Sequence, residues 1–252
     1  MSGNTLTSGF VDLATYDELE SYLYGGKNSY TPFVRATKRS SWFTQVPVQL
    51  SNQSGTPGFN VEWSARVTRG GDYMLYNWLR VNLSAVNLDT AVNQFSGAVN
   101  GAALRWTRNF MHNLISHCSI TFNDMAMCKF DNYHLDFWAS FTVPAGKRNG
   151  YDNMVGNIAV LTNPLAVGGT GASLPAAVLN LPLPLPNSRD SGVSLPVAAL
   201  PYNEIAIKFR FRNWTELLLI DNLDTGRSAV PTSTDISGCL LYTSDAADEE
   251  DS

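Results

Sequence analysis

Two stretches of this chain alternate strictly between apolar and polar residues, and that period confines them to β-strands. In 59–68, Phe59, Val61, Trp63, Ala65 and Val67 alternate with Asn60, Glu62, Ser64, Arg66 and Thr68. In 203–212, Ile205, Ile207, Phe209 and Phe211 alternate with Glu204, Lys208, Arg210 and Arg212. Successive strand side chains point to opposite faces, so each run has one buried and one wet face. A helix of the same residues would scatter the charges onto its core-facing side.

Further strands are expected at 43–50, with Val46, Val48 and Leu50 inward, and at 72–83, which is apolar on both faces at first. Another fits 114–123, with Leu114, Cys118, Ile120 and Phe122 together, and a short last one fits 216–221. Pro47 lacks an N–H and fits only an edge or bulge position. Two segments read as helices instead. Thr15-Tyr-Asp-Glu18 is a capping box, followed by Tyr16, Leu19 and Leu23 on one face and by Gly25-Gly26 as a stop, which predicts a helix over 15–24. Asp131 to Phe141 fits a second helix, with Asp131 as N-cap and Leu135, Trp138 and Ala139 on a face.

Residues 84–103 and 144–200 read as long connections. The latter contains Leu181-Pro-Leu-Pro-Leu-Pro186, whose prolines cannot donate regularly to a ladder and favour extended, polyproline-like backbone. Seven or eight strands, one helix within a long connection and two long loops describe an all-β antiparallel sandwich, best fitted by a jelly roll.

Composition narrows the function classes. At 252 residues and 44% hydrophobic content, the chain can bury a core, which excludes wholesale disorder. No apolar run reaches the roughly 18 residues of a membrane-spanning helix, and no cationic segment followed by an apolar one predicts a secretory leader. The net charge of −5 is unevenly placed: Asp245, Asp248, Glu249, Glu250 and Asp251 all fall in 239–252. Without those five acids, the rest carries 17 charges of each sign. The run Cys239 to Glu249, CLLYTSDAADE, resembles the translation of a transposon-type sequencing adaptor, so 239–252 is expected to be non-native and is excluded from fold reasoning.

The residues carry no visible catalytic pattern. His112, His117, Cys118, Cys128 and His134 lie within 23 residues, but no C-x-x-C occurs, and strand neighbours His117 and Cys118 would face opposite ways. No H-x-H serves a cupin-type metal, no G-x-S-x-G elbow activates a serine, and Gly168-Gly169-Thr170-Gly171 lacks the lysine of a phosphate loop. Lys208-Phe-Arg-Phe-Arg-Asn-Trp214 interleaves cations with aromatics, yet alternation already accounts for it as two strand faces. Three cysteines, one of them in the suspect tail, make no disulfide framework. The sequons at Asn52, Asn82 and Asn213 are no more than chance supplies.

Several long segments are nevertheless recognisable. Gly9-Phe-Val-Asp-Leu-Ala-Thr-Tyr-Asp-Glu-Leu-Glu20 with Tyr24-Gly-Gly26, Arg105-Trp-Thr-Arg-Asn-Phe-Met-His-Asn113, Ser119-Ile-Thr-Phe-Asn-Asp124 and Tyr133-His-Leu-Asp-Phe-Trp138 are four. Lys147-Arg-Asn-Gly-Tyr-Asp-Asn-Met-Val-Gly-Asn157, Ser188-Arg-Asp-Ser-Gly-Val-Ser-Leu-Pro196 and Leu200-Pro-Tyr-Asn-Glu-Ile205 are three more. In this order they closely resemble the iridovirus-type major capsid proteins of nucleocytoplasmic large DNA viruses. The positions carrying the resemblance are Phe10, Asp12, Leu13, Tyr16, Arg105, Trp106, Asn113, Phe122, Asn123, Asp124, Trp138, Gly150 and Tyr151. Arg189, Asp190, Ser191, Gly192, Pro201, Tyr202, Asn203 and Glu204 complete the set.

The resemblance implies a double jelly roll, of which this chain holds the first. Residues 1–30 would be an N-terminal arm with a short capped helix, 31–224 the first roll, and 225–238 a linker toward a second roll missing here. In the family, three chains form a pseudo-hexagonal capsomer, and capsomers tile an icosahedral shell over an internal membrane. Implied partners are the homotrimer, neighbouring capsomers and, through the arm unless it packs on its own roll, minor capsid proteins or the membrane. Direct nucleic-acid contact, enzymatic activity and a cofactor are not implied. The place of action would be the virion, assembled in the host-cell cytoplasm. The loops at 84–103 and 144–200 would build the outward surface, and the isolated half is expected to be poorly soluble. A carbohydrate-binding jelly roll used for attachment is the alternative, and a cupin-like enzyme a more distant third.

Overall fold

The computed structural model describes residues 3–14, 41–89, 93–95, 97–237 and, by backbone, 241–242. The chain divides into two compact units, Met1–Pro47 and Val48–Ser252. In the first unit, α1 spans Gly3–Ala14. The helix expected at 15–24 lies outside the described residues.

The second unit is built on a five-stranded antiparallel sheet. Its order is β1 (Ser51–Ser54), β2 (Glu62–Arg66), β10 (Ile205–Phe211), β6 (Ile115–Phe122) and β7 (Met125–Asp131). The two alternating runs of the sequence thus lie side by side at its centre. Phe209 stands opposite Trp63 on one neighbour and Cys118 on the other, and Ile207 opposite Ala65 and Ile120. Matching registers place every apolar member on one face, where cross-strand pairs can pack. Trp63 stacks on Phe209 with ring centroids 4.7 Å apart and meets the edge of Phe211 at 5.6 Å.

Three short ladders contribute buried residues to the same core. One is β12 (Ser228–Ala229), β11 (Leu218–Asn222) and β5 (Ala102–Trp106). The second is β13 (Ile236–Ser237), β4 (Val86–Leu88) and β8 (Ser173–Leu174), and the third is β14 (Leu241–Tyr242), β3 (Trp78–Leu83) and β9 (Ala177–Pro182). The Leu104 N–H donates to the Gly171 carbonyl and the Leu88 N–H to that of Ala172, both at 2.8 Å, so the segment before β8 stitches β5 to β4. That approach requires a glycine. Gly171 has φ +70°, and a Cβ there would stand 2.4 Å from the Ala103 Cβ. Gly171→Ala should therefore cost roughly 2 kcal/mol through strain and a forced shift of β5, read as a lowered urea midpoint with an unchanged slope.

Several expectations need correction. Residues 43–50 form no strand; Val46 and Val48 are exposed, and the sheet begins instead at the polar Ser51-Asn-Gln-Ser54. Pro47, between those valines, supplies no N–H to a ladder and stands outside every strand. Only 78–83 of the expected 72–83 is a strand, with Met74 bridging singly to Leu195. Leu114 is not in β6 but ends a short helix, α2 (Phe110–Leu114). The predicted helix at 131–141 is α3 (Asn132–Thr142): the Asp131 side chain accepts from the His134 N–H, and Leu135 and Ala139 are buried, with Trp138 half-buried.

The supposed loops are structured. Residues 84–103 contain β4 and the start of β5, and 144–200 contain α4 (Ala145–Val155), α5 (Ala159–Thr162), β8 and β9. The Leu-Pro run is the instructive case. Leu179, Leu181, Leu183 and Leu185 are all buried, while Pro182, Pro184 and Pro186 lie at intermediate depth. β9 pairs only with β3 among the described strands, and Leu183 donates to the Asn77 carbonyl at 2.9 Å. N–H groups two residues apart point the same way, so the flanking prolines lose donors only on the side away from β3.

Candidate functional site

The recognised segments, far apart in sequence, meet in two polar clusters. The first joins α2, α3 and α4. His112, almost fully buried, directs Nδ1 to Asp136 Oδ1 at 2.5 Å and Nε2 to the Tyr151 hydroxyl at 2.7 Å. Asn109 Nδ2 donates to the same carboxylate oxygen at 3.1 Å. Burial lowers the His112 pKa against the opposing pull of Asp136, so the ring is neutral near pH 7. A carboxylate can only accept, which puts the ring proton on Nδ1 and leaves Nε2 to accept from Tyr151. Burial also raises the Tyr151 pKa to about 12, which keeps that donor protonated.

The second cluster joins two turns at one end of the five-stranded sheet. Asn123 and Asp124 link β6 to β7 with φ of 47° and 65°, left-handed values suited to a two-residue hairpin turn. The Asn123 side chain donates to Asn203 Oδ1 and accepts from the Glu204 N–H, and its own N–H donates to the Glu204 carbonyl, all at 2.8 Å. Lys208 reaches Asp124 at 3.1 Å, and Gln53 donates to Glu204 Oε1 at 2.6 Å. Asn123→Ala removes two hydrogen bonds and puts alanine in a left-handed turn, so it should lower stability by about 2 kcal/mol, measured as a fall in thermal midpoint.

The remaining motif positions are placed as follows. Arg105 pairs with Asp221 across β5 and β11 at 2.6 Å, and Trp106 is fully buried with its edge to Phe110 at 4.9 Å. Asn113 donates to the Arg108 carbonyl, and Phe122 packs on the core from its margin. Arg189 lies over the Trp138 ring at 5.5 Å, tying two recognised segments by a cation–π contact. Asp190, Ser191 and Gly192 form an exposed turn, and Pro201 and Tyr202 are exposed. Nothing around Gly150 demands a glycine. Phe10, Asp12 and Leu13 fall in α1, and Tyr16 lies outside the described residues.

A third anchor escaped the sequence reading. Asp235 is buried and accepts from the Thr232 N–H and Oγ1 and from the Gln94 N–H and Nε2. Burial alone would raise its pKa; those hydrogen bonds outweigh it and hold the carboxyl below its ordinary value. Thr232 lies only three residues before it, but no local pattern announces the burial, because the other partner, Gln94, lies 141 residues back along the chain.

These groups do not assemble a reacting centre. Both nitrogens of His112 are engaged within the fold, His134 stacks on Trp138, and Cys118 faces the core. Burial pushes the Cys118 thiol well above its ordinary range, so it remains a neutral thiol. Among the described residues, no three His, Cys, Asp or Glu side chains gather as metal ligands. Each cation of the 208–214 run has a carboxylate within 4 Å: Lys208 with Asp124, Arg210 with Glu62 and Arg212 with Glu216. No described helix is long and apolar enough to cross a membrane.

The antiparallel sheets sharing one core, with polar clusters that lock distant segments together, have the architecture of a jelly roll. The family described as major capsid protein N-terminus matches residues 31–246, and the chain belongs to that family. The major capsid protein of Costelytra zealandica iridescent virus is 56% identical over 222 residues, covering 88% of this chain and 47% of that protein. That of Frog virus 3 (isolate Goorha) is 42% identical over 248 residues, covering 98% and 53%. The chain thus spans about half the length of the curated relatives it matches. Among solved structures, the Faustovirus major capsid protein superposes with a TM-score of 0.58 at 12% identity, covering 88% of this chain and 59% of that one. A quasi-atomic model of the PBCV-1 virus capsid gives 0.52 at 19%, covering 84% and 44%. These two share the fold. The relatives are structural proteins of the virion, not enzymes.

Proposed function

We propose that this chain is the N-terminal jelly roll of a double-roll capsid subunit that trimerises into pseudo-hexagonal capsomers of an icosahedral shell. The observation that carries the reading is the match of nearly the whole chain to about half of each curated relative. On this reading 31–224 form the body of the first roll and 225–238 lead on to a second. On the way, Ser228–Ala229 and Ile236–Ser237 lie along its outer strands. Residues 1–30 serve as an arm that either packs on its own roll or reaches toward minor capsid proteins or the internal membrane. Assembly takes place in the host-cell cytoplasm.

The physics suits the task. A shell subunit must present the same contact surfaces in every copy, which a rigid sandwich achieves better than mobile loops. Equal numbers of acids and bases over 1–238 avoid mutual repulsion among close-packed copies. The test begins by reading the gene past codon 238. A continuing frame with a second set of alternating strands, whose product is trimeric by native mass spectrometry, is the expected result. A frame without them, or a strictly monomeric product, overturns the proposal.

A further inference from the structure

The His112 imidazole joins helices of unequal attachment. α3 buries Asn132, Leu135 and Ala139 against the roll and turns Phe137 outward. α4 buries only Val155, its last residue. Behind it, Gly156 packs so closely that a Cβ would stand 3.0 Å from Leu179 and 3.2 Å from Phe110. The rest of α4 is exposed or half-buried. Two side chains fasten that part: Arg148 donates to the Ala139 carbonyl of α3 at 3.0 Å, and Tyr151 donates to His112 Nε2 at 2.7 Å. A helix with so little buried apolar surface lies at the low-stability end of a fold.

The two bonds of the imidazole answer a proton in opposite ways. Near pH 7, Nδ1 donates to Asp136 of α3 and Nε2 accepts from Tyr151 of α4. A second ring proton enters at Nε2 and takes the lone pair that Tyr151 uses. The Tyr151 hydrogen must then turn away, and among the described residues its hydroxyl has no other partner. The new cation also stands near Arg148, whose repulsion outweighs the attraction of Asp152 on the same helix. Toward α3 the effect is reversed, because the bond from Nδ1 to Asp136 becomes an ion pair. Strands β6 and β9, which also pack on α2, bring no charge to the ring. β9 contains no titratable residue, and those of β6 are His117, on the wet face, and Cys118, in the core.

We propose that His112 is an acid-operated switch between two helices: on taking up a proton it frees α4 from the roll and keeps α3 in place. Burial sets the direction. The folded ring resists the proton, whereas opening α4 removes Tyr151 and Arg148 from one side of it and admits water. Below the ordinary value of 6.5, the opened state therefore gains about tenfold per pH unit, until the lower folded value is reached. Mild acid thus undocks one helix and leaves the sheet intact. The switch belongs to the roll itself and holds whatever the chain assembles into.

The test is hydrogen–deuterium exchange, read by mass spectrometry, of the 252-residue chain at pH 7.5 and pH 5.0, with rates corrected for the intrinsic effect of pH. In wild type the protection of α4 should fall about tenfold or more, while that of α3 and β10 holds. His112→Gln keeps an acceptor for Tyr151 and takes up no proton, so its α4 should be equally protected at both pH values. Tyr151→Phe removes the bond at any pH and should lower α4 protection already at pH 7.5. An unchanged α4 in wild type, a joint fall of α3 and α4, or a fall that persists in His112→Gln would overturn the proposal. So would unaltered α4 protection in Tyr151→Phe. Should His112→Gln lose its near-ultraviolet circular dichroism, the wild-type comparison of the two helices and Tyr151→Phe decide the matter alone.

Discussion

Phe209→Ala should destabilise the folded chain by about 3–5 kcal/mol, the range for removing a buried aromatic ring. The residue sits on the middle strand of the five-stranded sheet, is almost fully buried, and touches both aromatic neighbours of its face, Trp63 and Phe211. Its ring stacks on Trp63 with planes only 19° apart, so truncation leaves the indole without its partner and opens a cavity between two neighbouring strands. The strands on either side are held by full ladders and cannot close over the gap. Against a typical total of roughly 5–15 kcal/mol, such a loss brings the chain close to unfolding at 37 °C. Urea denaturation followed by tryptophan fluorescence measures it, and a loss below about 1 kcal/mol would contradict the packing described. Phe209→Leu, which keeps much of the volume, should recover more than half of the loss.

His112→Ala should cost about 3 kcal/mol, because it empties a buried site and strips Tyr151 and Asp136 of a shared partner. It should also change the pH profile. Burial holds the folded-state pKa of His112 below its ordinary 6.5, so the unfolded chain takes up a proton that the folded chain refuses. Stability contributed by the neutral ring is complete above that value and falls as pH drops below it, until the folded pKa is reached. Wild type should therefore lose stability more steeply than His112→Ala between pH 7 and the folded value. His117, on the wet face of β6, is shifted the same way by partial burial and by Lys129, but it is common to both proteins and cancels in the comparison. Thermal midpoints across pH 7.5 to 5 give the difference, and parallel profiles would falsify the neutral, buried assignment.

The parts of the fold that were legible in the sequence are those decided by near neighbours. Trp63 to Val67 and Ile205 to Phe211 announce themselves because a strand's two faces differ over two residues, and Asp131 because a cap acts three residues ahead. Misreadings arose where a local rule depends on what lies across the strand. Leu181 to Pro186 lacks alternate donors, and it still pairs because β9 is bordered, among the described strands, by β3 alone. Val46, Val48 and Leu50 repeat the strand period but join none of the described strands. β8, β12 and β13, of two residues each, are too short for any period to register.

The recognised segments divide in the same way. Their order along the chain marked the family before any contact was known, and the match over 31–246 agrees. Why those residues recur as a set is a tertiary matter. His112, Asp136 and Tyr151 come from three separate segments and share one buried hydrogen-bonded cluster, and Asn123 meets Asn203 and Glu204 across 80 residues.

By itself, then, the sequence determined an all-β chain, its two central strands, its capped helix α3 and its kinship, because alternation, capping and segment order are written in adjacent residues. Only the tertiary structure decided which polar residues anchor the fold and which side of α3 is left facing outward. Burial is a property of what lies opposite a side chain, and Phe137 and Leu135, both apolar and two residues apart, differ only in that.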